Sequence, residues 1–393
     1  MRRAFKFKLK LTTLQKILFL RFAGTRRWIF NRGLDSRQKF FAATGKSLSY
    51  FEQNVELTTL KEMPEFAWLK DIHSQVLQQA LKDLDRAFLN FFRRIKKGEK
   101  PGFPKFKKKG QKESFRFPQG VKIEGSKVYL PKIGWVKFRK SQEVLGTIQE
   151  TTIVQEGADW FVSFSCAIEK EAPQAALIDE DRAIGIDVGL RHFATTASTK
   201  ENTCKIVENP KFLKTLLPHL RYLSRQLSKK AKKSNNSLKA KIKLARLHVR
   251  IKNLRNNFVQ QLSAQMLKNH DIFCIETLDI SNLLQESPKG QSRAISDAGW
   301  RNFLHCLKYK AEECGKHIIE AGKYFPSSQI CASCNHRQKM PLSVRQYDCP
   351  NCGIKNDRDY NSAIVLKAAG MSVLKARGAA LVGGSVEAGI SRL

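Results

Sequence analysis

The chain has 393 residues, 42% of them hydrophobic and 9% aromatic, a globular composition with enough length for two or three cores at roughly 150 residues each. Lysine and arginine number 71 against 35 acids, and the resulting net charge of +36 repels itself in a compact chain unless a polyanion neutralises it. Basic residues interleave with Phe, Tyr and Trp throughout, which favours nucleic acid over a membrane surface, and no run of about 18 apolar residues is present to span a bilayer.

The amino terminus is basic (Arg2, Arg3, Lys6, Lys8, Lys10), but the apolar run at 17–23 is too short for a secretory signal and is broken by Arg21. A soluble, cytoplasmic and nucleoid-associated protein is expected. Residues 4–10 alternate Phe5, Phe7 and Leu9 with lysines, a half-buried strand with a basic outer face. Thr12 and Thr13 open a helix with Leu14, Ile17, Leu18 and Phe22 on one face, and a second helix carries Trp28, Ile29, Phe30 and Leu34. After a polar connection around Gly45, residues 72–95 keep a helical period through Ile72, Val76, Leu77, Ala80, Leu81, Leu84, Phe88 and Phe91. The opposite face offers Gln75, Gln78, Gln79, Lys82 and Arg86. Glutamine can pair with both N6 and N7 of adenine, so Gln78 is the candidate base contact, with Tyr50 in the preceding segment as a second. The alternative is a glutamine that is simply solvated.

From Arg93 to Phe117 the character changes. Pro101, Pro104, Gly98, Gly102 and Gly110 forbid a helix, while Lys105, Lys107 and their basic neighbours alternate with Phe103, Phe106, Phe115 and Phe117. Such a mixture suits phosphate neutralisation and base packing; a solvated linker would have little use for the phenylalanines. Short apolar runs at 121–123, 127–130, 134–138, 151–155 and 160–168 then predict a small β-barrel that the first strand joins. The helices of 14–97 become an insertion between barrel strands, and Pro173 with Asp179, Glu180 and Asp181 marks a boundary.

The second half is organised around residues 183–194: a buried strand with Ile184, Ile186 and Val188, a turn at Gly189, and a strand running back. Asp187 lies inside that apolar run. A buried carboxylate needs a partner or a metal, the alternative being a cap on the following turn. Two basic helices follow, at 212–231 and from 238 onward, pairing on leucines and presenting Arg246, Arg250 and many lysines outward, a groove suited to a nucleic-acid backbone. In the apolar strand of 271–278, Glu276 repeats the anomaly of Asp187, and two such acids on strands of one α/β unit suggest a shared metal. Ser296 or Asp297 is expected to cap a helix carrying Trp300, Phe303 and Leu307, followed by a strand at 317–321.

Cys331-Ala332-Ser333-Cys334 and Cys349-Pro350-Asn351-Cys352, separated by fourteen residues, have the spacing of a zinc ribbon. Four thiolates on two tight turns make one structural Zn²⁺ site with no position left open for catalysis. Directly afterwards Asn356-Asp357-Arg358-Asp359-Tyr360-Asn361 opens a last helix, and Asp359 becomes the third acid of a set.

At these residues the sequence resembles the TnpB family of transposon-encoded proteins, related to type V CRISPR effectors. Gly185-Ile186-Asp187-Val188-Gly189-Leu190, Ile275-Glu276-Thr277-Leu278, Pro326-Ser327-Ser328-Gln329-Ile330-Cys331 and Asp357-Arg358-Asp359-Tyr360-Asn361 carry the resemblance, which covers about residues 1–370. It implies an α+β multidomain protein. A β-barrel wedge domain takes 1–13 and 98–178, and a helical recognition lobe takes 14–97. An RNase H-like RuvC nuclease takes 179–325 and 357–370, with a zinc ribbon at 326–356 and a flexible tail at 371–393. Ser362 stands where family members commonly carry Ala.

The same resemblance assigns Asp187, Glu276 and Asp359 as catalytic acids of an RNA-guided DNA endonuclease. Three carboxylates beside a phosphodiester need divalent metal, and two Mg²⁺ ions roughly 3.5–4 Å apart would activate water and stabilise the leaving oxygen. The implied partners are a guide RNA transcribed from the element, which pairs with the target, and double-stranded DNA read next to a short flanking motif by a monomer on the RNA. The rivals are a nuclease-inactive RNA-guided regulator, which would lack one acid of the three, and a transposase performing strand transfer.

Overall fold

Strand β1 (Arg2–Lys10) turns Phe5, Phe7 and Leu9 inward and its lysines outward, as the alternation requires. The computed structural model describes residues 2–110, 113–169, 173–176, 178–198, 204–232, 234–341 and 343–378, and the chain divides into two units, 1–170 and 171–393. In the first unit, β2 (Ser114–Phe117), β3 (Lys122–Glu124), β4 (Lys127–Leu130), β5 (Gly134–Phe138), β6 (Thr147–Glu156) and β7 (Asp159–Ala167) join β1 in the order β2-β6-β7-β1-β5-β4-β3. β1 pairs with β7 over residues 2–8 and crosses to β5 at Leu9 and Lys10.

Helix α1 (Thr13–Thr44) is continuous where the sequence predicts two helices; a capping box of Thr12 and Gln15 starts it and Gly45, at φ 69°, ends it. Its buried stripe is Phe19, Phe22, Ala23, Phe30 and Leu34, whereas Leu14 and Ile17, expected inside, are 74% and 59% exposed. The stripe follows its partners: Phe19 meets Phe115 and Trp160 edge-on, and Phe22 packs on Phe115 and Phe117. Phe115 and Phe117, predicted to serve nucleic acid, are therefore core residues, while Phe103 and Phe106 stay exposed. Helix α2 (Tyr50–Glu62) and a 3-10 helix at Pro64–Asp71 replace the predicted polar connection, and a second capping box, Ser49 with Glu52, starts α2. Helix α3 (Ser74–Lys96) buries Val76, Leu77, Ala80, Leu81 and Leu84, as its periodicity predicts.

The second unit contains β8 (Ala183–Val188), β9 (His192–Ser198), β10 (Cys204–Glu208), α4 (Phe212–Ser228), α5 (Asn235–Asn269) and β11 (Ile272–Glu276). There follow α6 (Ile280–Glu286), α7 (Lys289–Ala298), α8 (Trp300–Glu313), β12 (His317–Ala321), the short pair β13 (Gln346–Asp348) and β14 (Lys355–Asp357), and α9 (Arg358–Gly378). The main sheet has the order β10-β9-β8-β11-β12, with β8, β11 and β12 parallel and β9 and β10 antiparallel. Ile184, Ile186, Phe193, Phe273 and Ile275 share one core with Val259 of α5 and Phe303 and Leu307 of α8. Ala183, Ile272, Cys274 and Ile319 share another with Met371 and Leu374 of α9. Residues 371–378, predicted as flexible tail, thus continue a packed helix because that side of the sheet needs an apolar cover; residues 379–393 lie outside the described residues.

Three further differences from the sequence reading have local causes. Asp297 does not cap α8. It is buried at the end of α7 and accepts from the Leu213 and Lys214 N–H groups in the first turn of α4 and from the Arg255 guanidinium. The helical hairpin packs less tightly than its leucines suggest: α4 has no fully buried residue, and in the first half of α5 Leu247 and Ile251 are buried while Leu238 and Ile242 are exposed. Residues 173–176, read as the end of the first domain, fall in the second unit, where the Ala176 N–H donates to the Gly315 carbonyl at 2.8 Å.

Candidate active site and cysteine cluster

Ile275 lies opposite Ile186 in the parallel ladder, so Glu276 and Asp187 follow one step beyond at the carboxyl ends of neighbouring strands. This end of a parallel sheet is where α/β folds place ligands. Because side chains alternate, Ile186 and Ile275 enter the α5/α8 core and the two acids stand on the α9 face. Helix α9 supplies Asp359 in its first turn. The turn is aimed by Asp357, whose Oδ1 accepts from the N–H groups of Asp359 at 2.9 Å and Tyr360 at 3.1 Å.

Two glycines let α9 lie close. A Cβ on Gly185 would strike the Ala363 carbonyl oxygen and stand 2.9 Å from the Lys367 nitrogen, and one on Gly370 would meet the Cys274 side chain, with its Cβ 2.8 Å away. The sequence places these glycines but says nothing of what they face.

Burial pushes the Asp187 carboxyl well above the usual range, and the charges of Glu276 and Asp359 push it further; Arg358 and a hydrogen bond from Ser362 oppose them. Burial also raises Glu276. Three acids from three elements therefore share one region, and burial raises two of them, Asp187 and Glu276, above the usual carboxylate range. Arg345 Nη1 lies 3.7 Å from Asp359 Oδ1, but its side chain is half exposed. The all-oxygen donor set, with Asp187 and Glu276 desolvated, fits a hard divalent cation.

The four cysteines converge as their spacing predicts. Their sulfurs all lie within 4.8 Å of one another, with Cys331–Cys352 and Cys334–Cys349 at 3.6 Å, close to the edge of about 3.8 Å expected for a tetrahedron with Zn–S of about 2.3 Å. Among the described residues this is the one group of metal-ligating side chains drawn together so closely. The side chain of Asn351 and the His336 backbone hold the Cys334 thiol down to about 6. For Cys352 the Ile354 backbone lowers the thiol, yet burial and its bonds to Cys334, Cys349 and Cys331 outweigh that and push it up to about 12. Crowded thiols resist losing all their protons unless a cation replaces them, so the cluster fits Zn²⁺.

The other predicted site residues are spread over both units. In the first, Gln78 is exposed on α3, and Tyr50 is half-buried at the start of α2 against Phe51. Lys105 is exposed, but Lys107 turns inward: its ammonium stands 3.5 Å from the centre of the Phe30 ring, and its backbone is bonded on both sides by Asn31. In the second, Arg246 and Arg250 are exposed on α5. Sequence reasoning passed over Arg345 and noted Ser362 only as a departure from the family's usual Ala; the relation of both to the acids depends on the fold.

Residues 163–287 match a family described as probable transposase of the OrfB/IS605 type, and residues 300–366 match the Cas12f1-like TNB domain. Residues 1–46 match a family described as a helix-turn-helix domain, although here that stretch is one strand and one unbroken helix. The chain is 35% identical over 389 residues to InsQ of Escherichia coli (strain K12), named as an RNA-guided DNA endonuclease, covering 94% of this chain and 93% of that protein. It is 32% identical to a protein of Streptomyces pristinaespiralis bearing the same description, over 94% of this chain and 90% of that one. Its fold is similar to that of a chain in the structure of the Cas12f1–sgRNA–target DNA complex, with a TM-score of 0.53 and 14% identity, covering 91% of this chain and 83% of that chain. Identity at this level along nearly the whole of both proteins establishes that the chain belongs to the TnpB family, that of the IS605-type OrfB proteins.

Proposed function

We propose that this protein is the RNA-guided DNA endonuclease of a transposable element, cutting target DNA next to a short flanking motif. One observation supports the reading: Asp187 of β8 lies buried beside Glu276 of β11 and Asp359 of α9, and burial together with the charges of those two acids disfavours its own charge. A site that holds three carboxylates together at that cost is built for cations. The names of the relatives add the substrate class.

On this reading β8–β12 with α4–α9 form an RNase H-like RuvC core, the four cysteines hold one structural Zn²⁺, and Asp187, Glu276 and Asp359 hold two Mg²⁺. The magnesium ions would supply charge neutralisation at the scissile phosphate and a hydroxide-like nucleophile near neutral pH. The chain's own residues set where this happens. The sheet ladder fixes Asp187 and Glu276 at adjacent strand ends, the Asp357 cap orients the first turn of α9, and Arg345 stands beside Asp359 within reach of a polyanion. The strands of the first unit would form a barrel-like wedge with the helices of 14–97 inserted as a recognition lobe. A guide RNA transcribed from the element would select the target by pairing, with the protein acting as a monomer on that RNA in the cytoplasm, at the nucleoid.

The test is cleavage of a plasmid target by the purified protein carrying its copurified RNA. Asp187→Ala, Glu276→Ala and Asp359→Ala are each expected to abolish cutting in Mg²⁺ while RNA-dependent target binding persists. Near-normal cutting by any one variant removes that residue from the site, and joined strand-transfer products in place of simple breaks would favour a transposase.

A further inference from the structure

The first turns of α9 commit three buried polar side chains to the cysteine-bearing segment. Arg358, 7% exposed, donates from Nη1 to the Pro341 carbonyl at 3.1 Å. Asn361 accepts from the Ala332 N–H at 3.0 Å and donates to the Ile330 carbonyl at 2.7 Å, gripping the backbone on both sides of Cys331. Ser362 has its hydroxyl 2.9 Å from that of Ser327, and both residues are buried. The Ser362 hydroxyl also faces the Asp187 carboxylate and favours its charged form. An ionised carboxylate only accepts, and each serine has one proton to give. All three groups are satisfied when Ser327 donates to Ser362 and Ser362 donates to Asp187.

We propose that Asn361 and Ser362 are positioning residues through which the cysteine cluster sets the geometry of the catalytic carboxylates. Asn361 locks the first cysteine turn to the helix that carries Asp359, and the Ser327–Ser362 pair orients Asp187. The proposal rests on the nuclease reading above and adds the route by which the cysteine cluster supports the acids. Groups that orient metal ligands commonly change metal affinity or activity by 10- to 100-fold when removed.

The test uses the full chain with its copurified guide RNA, as wild type and as Ser362→Ala, Ser327→Ala, the double variant and Asn361→Ala. Zinc per chain, RNA-dependent target binding, Mn²⁺ binding by electron paramagnetic resonance, and cleavage rate against Mg²⁺ concentration are measured. The serine variants are expected to keep zinc and target binding, to cut about tenfold more slowly, and to need severalfold more Mg²⁺ for half-maximal rate, with weaker Mn²⁺ binding. The double variant should match Ser362→Ala alone, because the two hydroxyls act in series. Asn361→Ala should retain zinc but yield it faster to a competing chelator, with the same shift in Mg²⁺ demand. Wild-type Mg²⁺ dependence and Mn²⁺ affinity in Ser362→Ala would overturn the proposal, and so would additive losses in the double variant. If Asn361→Ala does not fold, the serine variants, which each remove one oxygen, decide the matter. A wild-type complex that cuts nothing counts against the nuclease reading, while the Mn²⁺ measurement still decides whether this pair sets the carboxylates.

Discussion

Gly185 in β8 lies directly beneath Ala363 in α9, with no room between them for a methyl group. The strand that carries Asp187 and the helix that carries Asp359 therefore approach each other at backbone contact. Gly185→Ala should force α9 off the sheet, destabilising the protein by about 1–3 kcal/mol through overpacking. A displacement near 1 Å at a reacting centre is enough to slow chemistry by about 10²-fold. Thermal unfolding and single-turnover cleavage of the variant test this; wild-type cutting would mean that α9 tolerates the shift.

The raised Asp187 carboxyl makes stability depend on pH with a definite sign. Its folded pKa lies above its unfolded one, so between the two values the metal-free folded state binds more protons than the unfolded chain. The contribution of this group to stability is present below the ordinary aspartate range and is lost as pH rises through the folded value. Asp187→Asn should raise the melting temperature of Mg²⁺-free protein near neutral pH, and added Mg²⁺ should stabilise wild type but not the variant. Cutting at limiting Mg²⁺ should rise with pH, because protons and metal compete for the same oxygens. Equal melting temperatures for wild type and variant in Mg²⁺-free buffer would argue against an electrostatically costly site.

Cys334→Ser should lose the metal and loosen the small core of Cys331, Tyr347 and Cys349. Zinc sites of this type supply apparent folding free energies of about 10–16 kcal/mol in isolated peptides, so the segment cannot hold its fold once the metal goes. Elemental analysis provides the check, and wild-type protein purified without chelator that contains no zinc would sink the assignment.

Gln78 is exposed on α3, and on the proposed function it would read one base of the flanking motif. Losing one bidentate base contact should cost about 1–3 kcal/mol of discrimination at a single position. Lys105→Ala should instead weaken binding to every sequence and flatten its salt dependence. A randomised-flank cleavage assay separates the two effects, and an unchanged motif at unchanged efficiency with Gln78→Ala would show that this helix face reads nothing.

Local pattern sufficed for much of this protein. Alternation marked β1, a period near 3.6 marked α3, cysteine spacing marked the convergence of the four thiols, and apolar runs marked the strands that carry Asp187 and Glu276, because each signal is carried by residues close together in the chain. Partner choice was not legible in the same way. Phe115 and Phe117 lie in a stretch whose basic, aromatic composition suits nucleic acid, and only their contacts with Phe19 and Phe22 of α1 make them core. Asp297 reads as the cap of the helix that follows it, yet it serves the start of α4, 84 residues earlier at Leu213. Gly185, Asn361 and Ser362 look like ordinary small residues until α9 is laid against β8 and the cysteine turn. Contacts between segments far apart in sequence decide these roles, since what a side chain buries or bonds to is set by whatever surface the fold brings to it.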